Sequence, residues 1–341
     1  MKKVAIDISR FKNCKVLVIG DFLIDEYIWG TVDSVSTEAP VPIVSVTNYN
    51  YELGGAGNVV NNLASLGASV YAAGIAGSDY NGKLLMEKME DLRIDVRGMY
   101  IDKRRPTTKK TRIVSSNQQV LRVDWETTKP VSRTAQNELI DSIQKIIPKV
   151  DVVLISDQGN GLLSDSFLSS IFSLARKHSK ITILDPFGTD YGKYKGATII
   201  TPNVKEVSLV TGIDIIGKNS ILKSGSELLK TTNAEGLLVT CGKDGIVLFG
   251  RAAQPFEIAT QAKQVYDVAG ASDTVLAILG LSLAAGGSFK DAATVANVAA
   301  GIVVGKVGAA TVTEKEIILE LMTFSGTIKS DDETYNKREF F

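Results

Sequence analysis

The chain has 341 residues, of which 44% are hydrophobic and 22% are charged. This composition is typical of a folded protein with one or two domains and excludes a disordered chain. The 38 basic residues balance the 38 acidic residues, so a broad basic surface that binds nucleic acid is not expected.

Short apolar runs alternate with helix-length segments along the chain. Runs that are apolar without alternation are typical of parallel strands covered on both faces. In chain order we predict strand Lys15–Gly20, helix Ala56–Leu66, helix Arg133–Ile147, strand Val150–Ile155, helix Ser166–His178, strand Ile181–Leu184, strand Thr198–Ile200, helix Ser220–Lys230 and strand Gly236–Thr240. This alternation predicts an α/β fold with a doubly wound, mainly parallel sheet and helices on both faces.

Two segments depart from this alternation. Val41–Val46 and Thr108–Val123 have the period of half-exposed antiparallel strands. They predict a small inserted β-sheet, at about residues 37–50 and 106–125 of a single domain that spans residues 1–330. Residues 331–341 are expected to form a frayed tail.

The longest apolar stretches are Thr274–Phe289 and Ala292–Gly305. Both are shorter than a membrane span and rich in Gly and Ala, which indicates buried core helices. The first ten residues contain no apolar segment of the secretory type. We therefore expect a cytoplasmic protein with no membrane partner.

The chain contains one histidine and two cysteines. His178 follows two basic residues in a run typical of a helix C-terminus, where a cation suits the helix dipole. This argues against Ser-His-Asp hydrolases, Cys-His proteases and multi-histidine zinc sites. Cys14 and Cys241 are far apart in sequence, which favours a reducing compartment. Chemistry would then depend on carboxylates, lysines, backbone amides or a carboxylate-bound metal.

Two segments in the first half of the chain could bind a ligand. Asp21 and Asp25 follow the first strand, and ligands of open α/β sheets bind outside the carboxyl ends of strands. An ordinary loop or capping role for these carboxylates is equally open. Gly54 and Gly55 precede a predicted helix that contains Asn58, so backbone amides there could approach a ligand closely.

The segment Asp267–Asp273 leads directly into an apolar helix. Its small residues predict a nest of backbone donors suited to an anion. A carboxylate at Asp273 beside such a nest is what phosphoryl transfer to a hydroxyl requires, because the carboxylate accepts the proton while the amides stabilise the transferred group. A simple helix cap at Asp273 is the alternative.

Two further segments bear on nucleotide and metal binding. Asn203 and Glu206 are three residues apart at the end of a strand, a spacing that suits hydrated magnesium. Gly212–Lys218 satisfies the spacing of a phosphate-binding loop, but Asn219 stands where Ser or Thr should hold magnesium, and the segment follows a helix rather than a strand. A phosphate-binding loop is therefore not expected at this segment.

Together these motifs resemble the PfkB/ribokinase family of sugar kinases over roughly residues 15–312. Within the family the chain is most similar to the branch that phosphorylates D-glycero-β-D-manno-heptose 7-phosphate, whose members stand alone or are fused to an adenylyltransferase. The segments that carry this resemblance are Gly54–Asn58, Ser36–Pro42, Ser116–Arg122, Gly188–Asp190, Asn203–Glu206, Gln264–Val268 and Gly270–Asp273.

The resemblance implies ATP and Mg²⁺ as cofactors and K⁺ as a further ion. It also implies that the small inserted β-sheet is a lid over the site, and that a homodimer is joined through this lid. Asp273 would be the general base, and the amides of Gly270, Ala271, Ser272 and Asp273 the anion hole. The sugar phosphate would be bound by Asp21, Asp25, Gly54, Gly55, Asn58, Asp157, Lys110, Arg112 and Arg122. The nucleotide would be bound by Asn203, Glu206, Thr240, Gly242, Gly245 and Asn297, with Mg²⁺ at Glu206 through water and a monovalent cation at Asp267.

The chain departs from the family pattern at several positions. Ser272 and Ala269 replace a usual glycine and a frequent threonine, and a serine Cβ restricts the backbone if a positive φ is needed. Asn160 and Phe187 stand where the heptose branch usually has lysines facing phosphates. Lys109 could restore one of these charges.

These departures leave other functions open. A kinase of the same fold for a different sugar is one, and a catalytically weakened relative that binds a sugar phosphate or nucleotide is another. A nucleotide-dependent oxidoreductase is disfavoured, since no GxGxxG segment follows a strand.

Overall fold

The computed structural model of the protein describes residues 5–116, 118–251, 253–260, 265–306, 308 and 310–324. The predicted tail 331–341 lies outside the described residues. So do Asn117 and Gln264, which belong to two of the motif segments.

Strands and helices alternate along most of the described chain. The strands are β1 Lys15–Gly20, β2 Phe22–Val35, β3 Pro42–Gly55, β4 Ser69–Gly77, β5 Asp95–Asp102, β6 Thr108–Ser115, β7 Gln118–Trp125, β8 Val152–Ser156, β9 Ile181–Asp185, β10 Ile199–Ile200, β11 Gly236–Thr240, β12 Ile246–Gly250 and β13 Ala253–Ile258. The α-helices are α1 Ala56–Ser65, α2 Tyr80–Asp91, α3 Arg133–Ile146, α4 Asp165–Lys177, α5 Val204–Thr211, α6 Lys218–Thr232, α7 Ala271–Ala284, α8 Phe289–Val303 and α9 Glu314–Phe324. Short 3-10 helices span Ile8–Asn13, Ile147–Lys149, Tyr191–Tyr194 and Gly242–Asp244.

The larger sheet has nine strands within the described residues, in the order β13-β12-β11-β10-β9-β8-β1-β4-β5. Neighbouring strands are parallel, except that β12 runs antiparallel to both β11 and β13. Connections between parallel strands must cross over a face of the sheet. The predicted doubly wound fold is thereby confirmed.

The apolar strands separate two hydrophobic cores. Val16 and Val18 of β1 belong to the core formed with α1, α7 and α8, whereas Leu17 and Ile19 belong to the core formed with α3, α4 and α6. Successive side chains of a strand point to opposite faces. A strand buried on both faces therefore has no polar positions, which is why β1 reads as a continuous apolar run.

The structure contains strands that the sequence analysis did not predict, among them β4, which lies between β1 and the edge strand β5 of the large sheet. This strand is rich in small residues, including the fully buried Ala72 and Ala73. At Gly74 a Cβ would come within 2.6 Å of the Gly20 carbonyl oxygen. Small residues are needed where chains approach this closely, and they weaken the strand signal in the sequence.

A second, four-stranded sheet forms the lid, in the order β3-β2-β6-β7. Strands β2 and β6 are parallel, and the other two pairs are antiparallel. The first lid segment covers Phe22–Gly55, so the predicted insertion at 37–50 was too short. The buried inner half and exposed outer half of β2 give it no single hydrophobic period.

His178 and the segment Gly212–Lys218, both considered above as possible functional groups, lie at the ends of helices. His178 is the C-cap of α4, in agreement with its prediction as a helix C-terminus. Gly217 and Lys218 begin α6, and the Lys218 ammonium pairs with Glu257 over 2.7 Å. Across the described residues, no helix combines the length and apolar character that crossing a bilayer would need.

We expect Leu154→Ala to lower the free energy of unfolding by about 2–5 kcal/mol, because the truncated side chain leaves a cavity. Leu154 is fully buried in β8 beneath α7. It packs so close to Gly280 that a Cβ there would lie 2.6 Å from Leu154 Cδ2. Urea denaturation measures the effect.

The matched control is Leu209→Ala in α5, where the side chain is 67% exposed. We expect a change within about 0.5 kcal/mol for this surface substitution. Equal losses of stability in the two variants would contradict the packing described for α7 on β8.

Candidate active site

The chain turns sharply at Gly270 before α7. Gly270 has a φ of 74° and is the N-cap of the helix, a left-handed conformation that glycine adopts without a Cβ penalty. Ser272 lies in the first turn of α7, where its side chain is exposed. The positive φ therefore falls on the glycine, and Ser272 has an ordinary helical backbone.

The first turn of α7 presents N–H groups that have no carbonyl partner inside the helix. The Ala271 N–H donates to the Val268 carbonyl oxygen over 3.3 Å, so this amide of the predicted anion hole is engaged within its own loop. The Ser272 and Asp273 amides open the helix. A helix N-terminus of this kind favours an anion.

Asp273 is buried at this N-terminus and contacts α1. Its Oδ2 accepts a hydrogen bond of 2.8 Å from Asn58 Nδ2. The N-cap position is held by Gly270, and the Asp273 carboxylate hydrogen-bonds to a neighbouring helix. The alternative that Asp273 is a simple helix cap does not account for this geometry.

A polar network in the core fixes Asn58. Asn62 Nδ2 donates to the Asn58 carbonyl oxygen over 2.9 Å, and Thr274 Oγ1 donates to Asn62 Oδ1 over 3.2 Å. Asn62 and Thr274 are fully buried. The sequence analysis missed both, although a buried asparagine within an otherwise apolar helical face was a usable signal. The network holds α1 and α7 in one orientation.

Burial raises the pKa of Asp273 to about 6. The hydrogen bond from Asn58 opposes this shift, Asp25 adds to it, and Lys110 lowers the pKa. Asp25 and Lys110 belong to the lid, so the lid contributes to the electrostatics of Asp273. A carboxyl group with a pKa near 6 is largely ionised at neutral pH and can accept a proton from a hydroxyl.

Asp21 lies between β1 and β2 and is bound by the loop after β8. Its Oδ2 accepts hydrogen bonds from the amides of Gln158 at 2.9 Å and Asn160 at 3.1 Å. Burial, followed by the charge of Asp157, raises the pKa of Asp21 to about 6. Asp21 therefore stands at the carboxyl end of β1, as predicted.

Asp25 lies inside β2 rather than in a loop after β1. Gly54, in the neighbouring strand β3, pairs with Leu23, and there is no room for a side chain there, because a Cβ would lie 2.3 Å from Asp25 Oδ2. Gly55 has a φ of 54° and turns the chain into α1. The two glycines thus bring Asp25 against the N-terminal turn of α1 that carries Asn58.

One face of the lid carries the predicted cations. Asp25 pairs in register with Lys110, and Tyr27 with Arg112. The Arg112 guanidinium forms an ion pair with Asp25 and lies 5.4 Å from the centre of the Tyr27 ring. Arg122 stands opposite Arg112 on β7, half exposed, with its guanidinium on Asp124 at 2.9 Å. Lys110 is close enough to Asp273 to lower its pKa, Arg112 is held on Asp25, and Arg122 lies farther out on the same face.

Lys109 does not restore a charge on this face. Its ammonium pairs with Glu26 over 2.7 Å, and Thr111 donates to the same carboxylate over 2.6 Å. Burial works against the ionised form of Glu26, but these partners outweigh it and lower its pKa. Alternation along a strand places Lys109 and Lys110 on opposite faces.

On the other side of the site, Asn203 and Glu206 form a capping box at the start of α5. Asn203 Oδ1 accepts from the Glu206 amide at 3.0 Å, and Glu206 Oε2 accepts from the Asn203 amide at 2.9 Å. Burial raises the pKa of Glu206. Thr240 pairs with Asn203 in an isolated bridge, so the carboxyl ends of β10 and β11 meet here.

The remaining predicted nucleotide residues border β11, β12 and α8. Gly242 and Gly245 have φ of 59° and 89° and bound a tight turn after β11. Asn297 is buried, and its Nδ2 donates to the Ala259 carbonyl oxygen over 2.8 Å. This contact ties α8 to the segment after β13.

Asp267 is held by two backbone amides. Its Oδ1 accepts from Ala269 at 2.9 Å, and its Oδ2 accepts from Gly308 at 3.3 Å. The carboxylate thus joins the loop before α7 to the loop after α8. Among the described residues, no group of three or more Asp, Glu, His or Cys side chains is arranged to hold a metal ion.

Asp185, at the carboxyl end of β9, was missed in the sequence analysis. Its Oδ1 accepts a hydrogen bond from Thr201 Oγ1 over 3.1 Å. Burial, then the charges of Asp273 and Glu206, raise its pKa well above the usual range. A carboxylate that directly follows a predicted strand was the signal for it.

These carboxylates form a donor set that fits a hydrated divalent cation. Glu206 is close enough to Asp185 for its charge to raise the pKa of that carboxyl group. Mg²⁺ typically takes one or two carboxylates and completes its shell with water and phosphate oxygens. A cation there would offset the charge that raises the pKa of Asp185.

The chain matches the family described as pfkB family carbohydrate kinase over residues 13–316. It is 47% identical over 315 residues to the "Bifunctional protein HldE" of Desulfatibacillum aliphaticivorans, and 45% identical over 312 residues to that of Helicobacter hepaticus. Each match covers 92% of this chain and 64% of the relative, so the chain spans less than two thirds of the length of these relatives.

The fold is similar to that of solved sugar kinases. The structure of Arabidopsis thaliana ribokinase complexed with ribose and ATP has a TM-score of 0.74 at 22% identity, and covers 90% of this chain and 98% of that one. Phosphofructokinase-2 from Escherichia coli in complex with potassium has a TM-score of 0.75 at 16% identity, over 92% and 99% of the two chains. By the match over residues 13–316 and the identity to these relatives, the chain belongs to the pfkB family of carbohydrate kinases.

Proposed function

We propose that this chain transfers the γ-phosphoryl group of ATP to D-glycero-β-D-manno-heptose 7-phosphate and forms the 1,7-bisphosphate, a precursor of ADP-heptose. The identity of 47% to a bifunctional HldE protein and the heptose-branch motifs support this substrate. The observation that carries the chemistry is Asp273, buried at a helix N-terminus and hydrogen-bonded to Asn58.

In the proposed step, the sugar hydroxyl oxygen bonds to the γ-phosphorus as the bond to the β,γ-bridging oxygen breaks. The Asp273 carboxylate takes the hydroxyl proton, and ADP leaves with the bridging oxygen. The amides of Ser272 and Asp273 stabilise negative charge on the transferred group. Asp21 and Asp25 hold the sugar hydroxyls, and Lys110 and Arg112 on the lid bind the sugar phosphate.

The nucleotide is proposed to bind across the turn Gly242–Gly245 and beside Asn297. When bound, Mg²⁺ supplies charge neutralisation on the triphosphate, and Glu206 with Asp185 would hold it through water. The loops joined by Asp267 are the proposed site of a monovalent cation, which their backbone carbonyls would hold.

The first test is a coupled ADP-release assay with ATP, Mg²⁺ and K⁺ on the heptose 7-phosphate, ribose, fructose and fructose 6-phosphate. We expect turnover on the heptose phosphate at the order of 1–100 per second, as in other kinases. Asp273→Asn removes the proton acceptor and should lower turnover by roughly 10²–10⁴-fold with ADP affinity largely unchanged.

The control is Asp165→Asn, which changes an exposed aspartate in the first turn of α4 and should keep full turnover. Preference for a non-phosphorylated sugar would replace the proposed substrate while keeping the mechanism. Nucleotide binding without turnover on any sugar would reject the kinase proposal in favour of a binding protein.

A pH profile tests the role of the buried carboxylates. The pKa values of Asp273 and Asp21 are raised to about 6, and the ionised form of the base is the active one. We therefore expect turnover to rise with pH through about 6 and to fall steeply below it, because the proton acceptor and the sugar ligand both become protonated in the same pH range. Asn58→Ala removes a contact that lowers the pKa of Asp273. The acidic limb of the pH profile of this variant should therefore move to higher pH.

The control is Asn61→Ala on the same helix, which lies outside the contacts of Asp273 and should leave the limb in place. The profile is recorded as kcat, since Asn58 is also a proposed sugar ligand and its loss affects KM. A limb that stays unmoved in Asn58→Ala would contradict the assignment of Asp273 as the titrating base.

We further propose that two copies of the chain pair through the lid. On the face opposite Asp25, an apolar row crosses all four strands in register: Tyr49, Ile28, Ile113 and Leu121. Tyr49 is 63% exposed and Leu121 54% exposed. The outer strands β3 and β7 leave open edges, which a second copy would cover.

Sedimentation velocity tests this pairing. We expect the wild-type chain to sediment as a dimer and Leu121→Asp to sediment as a monomer, because a buried charge in the interface is costly. Leu209→Asp on the exposed surface of α5 is the control and should remain dimeric. A monomeric wild-type chain would reject the lid interface.

A further inference from the structure

Asn160 and Phe187 stand at the two positions where the heptose branch usually carries a lysine, and neither side chain is charged. Asn160 is buried, and its Nδ2 donates to Glu126 over 3.1 Å. Its Oδ1 has no hydrogen-bond partner among the described residues. The Phe187 ring lies against Gly159, where a Cβ would come within 2.3 Å of it.

A different lysine lies at this place. Lys193 belongs to the 3-10 helix between β9 and β10, and its ammonium lies 2.6 Å from Asp157 Oδ2. Its side chain is 17% exposed, and the ammonium lies 4.9 Å from the centre of the Tyr194 ring. The charge is therefore held in one position at the carboxyl end of β8.

Tyr194 ties the loops after β8 and β9 together beneath this lysine. Its hydroxyl lies 2.8 Å from Asp157 Oδ2 and accepts a hydrogen bond of 2.9 Å from the Phe187 amide. Lys193 thus stands in the loop that follows Phe187 and contacts, through Asp157, the loop that contains Asn160. Its ammonium therefore lies close to the two loops in which the lysines of the heptose branch would stand.

Asp157 does not depend on Lys193 alone. Its Oδ1 accepts from the Gly159 amide at 2.9 Å, and its Oδ2 also faces the Tyr194 hydroxyl. An ammonium has three N–H donors. Lys193 can therefore hold Asp157 with one donor and offer the others to a ligand.

The sheet order places this ammonium between the two halves of the proposed site. Strands β8 and β9 separate β1, which Asp21 follows, from β10 and β11, at whose carboxyl ends Asn203 and Thr240 lie. A phosphate chain that runs from the nucleotide side to the sugar side must pass over the ends of β8 and β9. Those ends carry Asp157 and Asp185, so a cation is required for an anionic chain to lie there.

From this geometry we infer that Lys193 binds the phosphate chain of the nucleotide, and replaces in this chain the lysines expected at positions 160 and 187. The inference rests on the proposed kinase function. Lys193 contacts phosphate oxygens and so belongs to the binding site rather than to the scaffold around it.

The test compares Lys193→Met, which removes the charge and keeps the stem, with Lys193→Arg, which keeps the charge. Calorimetry measures ADP binding, and the coupled assay measures kcat and both KM values. For Lys193→Met we expect ADP binding roughly 10- to 100-fold weaker, with KM for the sugar phosphate little changed. Lys193→Arg should stay within a few-fold of wild type.

The decisive variant adds Phe187→Lys to Lys193→Met. A lysine at position 187 should recover at least tenfold of the lost ADP affinity if the site needs a cation there. Lys195→Met, an exposed lysine two residues along, is the control and should bind ADP normally.

Loss of thermal stability in Lys193→Met without loss of ADP affinity would overturn the inference, since it would assign Lys193 to the scaffold. Weaker binding confined to the sugar phosphate would overturn the assignment to the nucleotide. ADP binding is measured without a sugar, so a wild-type chain that phosphorylates none of the sugars would reject the proposed function and still leave the Lys193 result readable.

Discussion

A buried carboxylate is stable only where hydrogen bonds and nearby charge offset its loss of water, and Asp273 meets this requirement through Asn58. Asn58 in turn is fixed by Asn62, and Asn62 by Thr274. The chain of contacts passes from α7 to α1 and back to α7. The relative orientation of these two helices, and with it the accessibility and pKa of Asp273, depends on this buried network.

Negative charge accumulates along the same edge of the sheet. Asp21 and Asp157 follow β1 and β8, and Asp185 is the last residue of β9. The pKa values of Asp21 and Asp185 are raised by burial and by neighbouring carboxylates. Such an edge is poorly suited to an anionic substrate unless cations are brought to it. The structure brings them from two directions, as Lys110 and Arg112 from the lid and Lys193 from the loop before β10.

The sequence predicted the large sheet well where its strands are continuously apolar, as in β1, and poorly where close packing demands small residues, as in β4. It placed Asp273 and Asn203 at the ends of elements, because glycine and proline mark those ends. It did not reveal Asp185, Asn62 or Lys193 as parts of the site. Lys193 reads in the sequence as one of several lysines in a polar loop, and only its pairing with Asp157 distinguishes it.

The sequence by itself determined the strand–helix alternation, the glycine turn before α7 and the supply of carboxylates, since these depend on local composition and periodicity. The tertiary structure decided which side chains meet. It placed Lys109 and Lys110 on opposite faces of one strand, used the Asn203 and Glu206 side chains to cap α5, and put the positive φ on Gly270 instead of Ser272. These outcomes depend on the register between strands and on contacts between residues far apart in the chain, which local patterns do not encode.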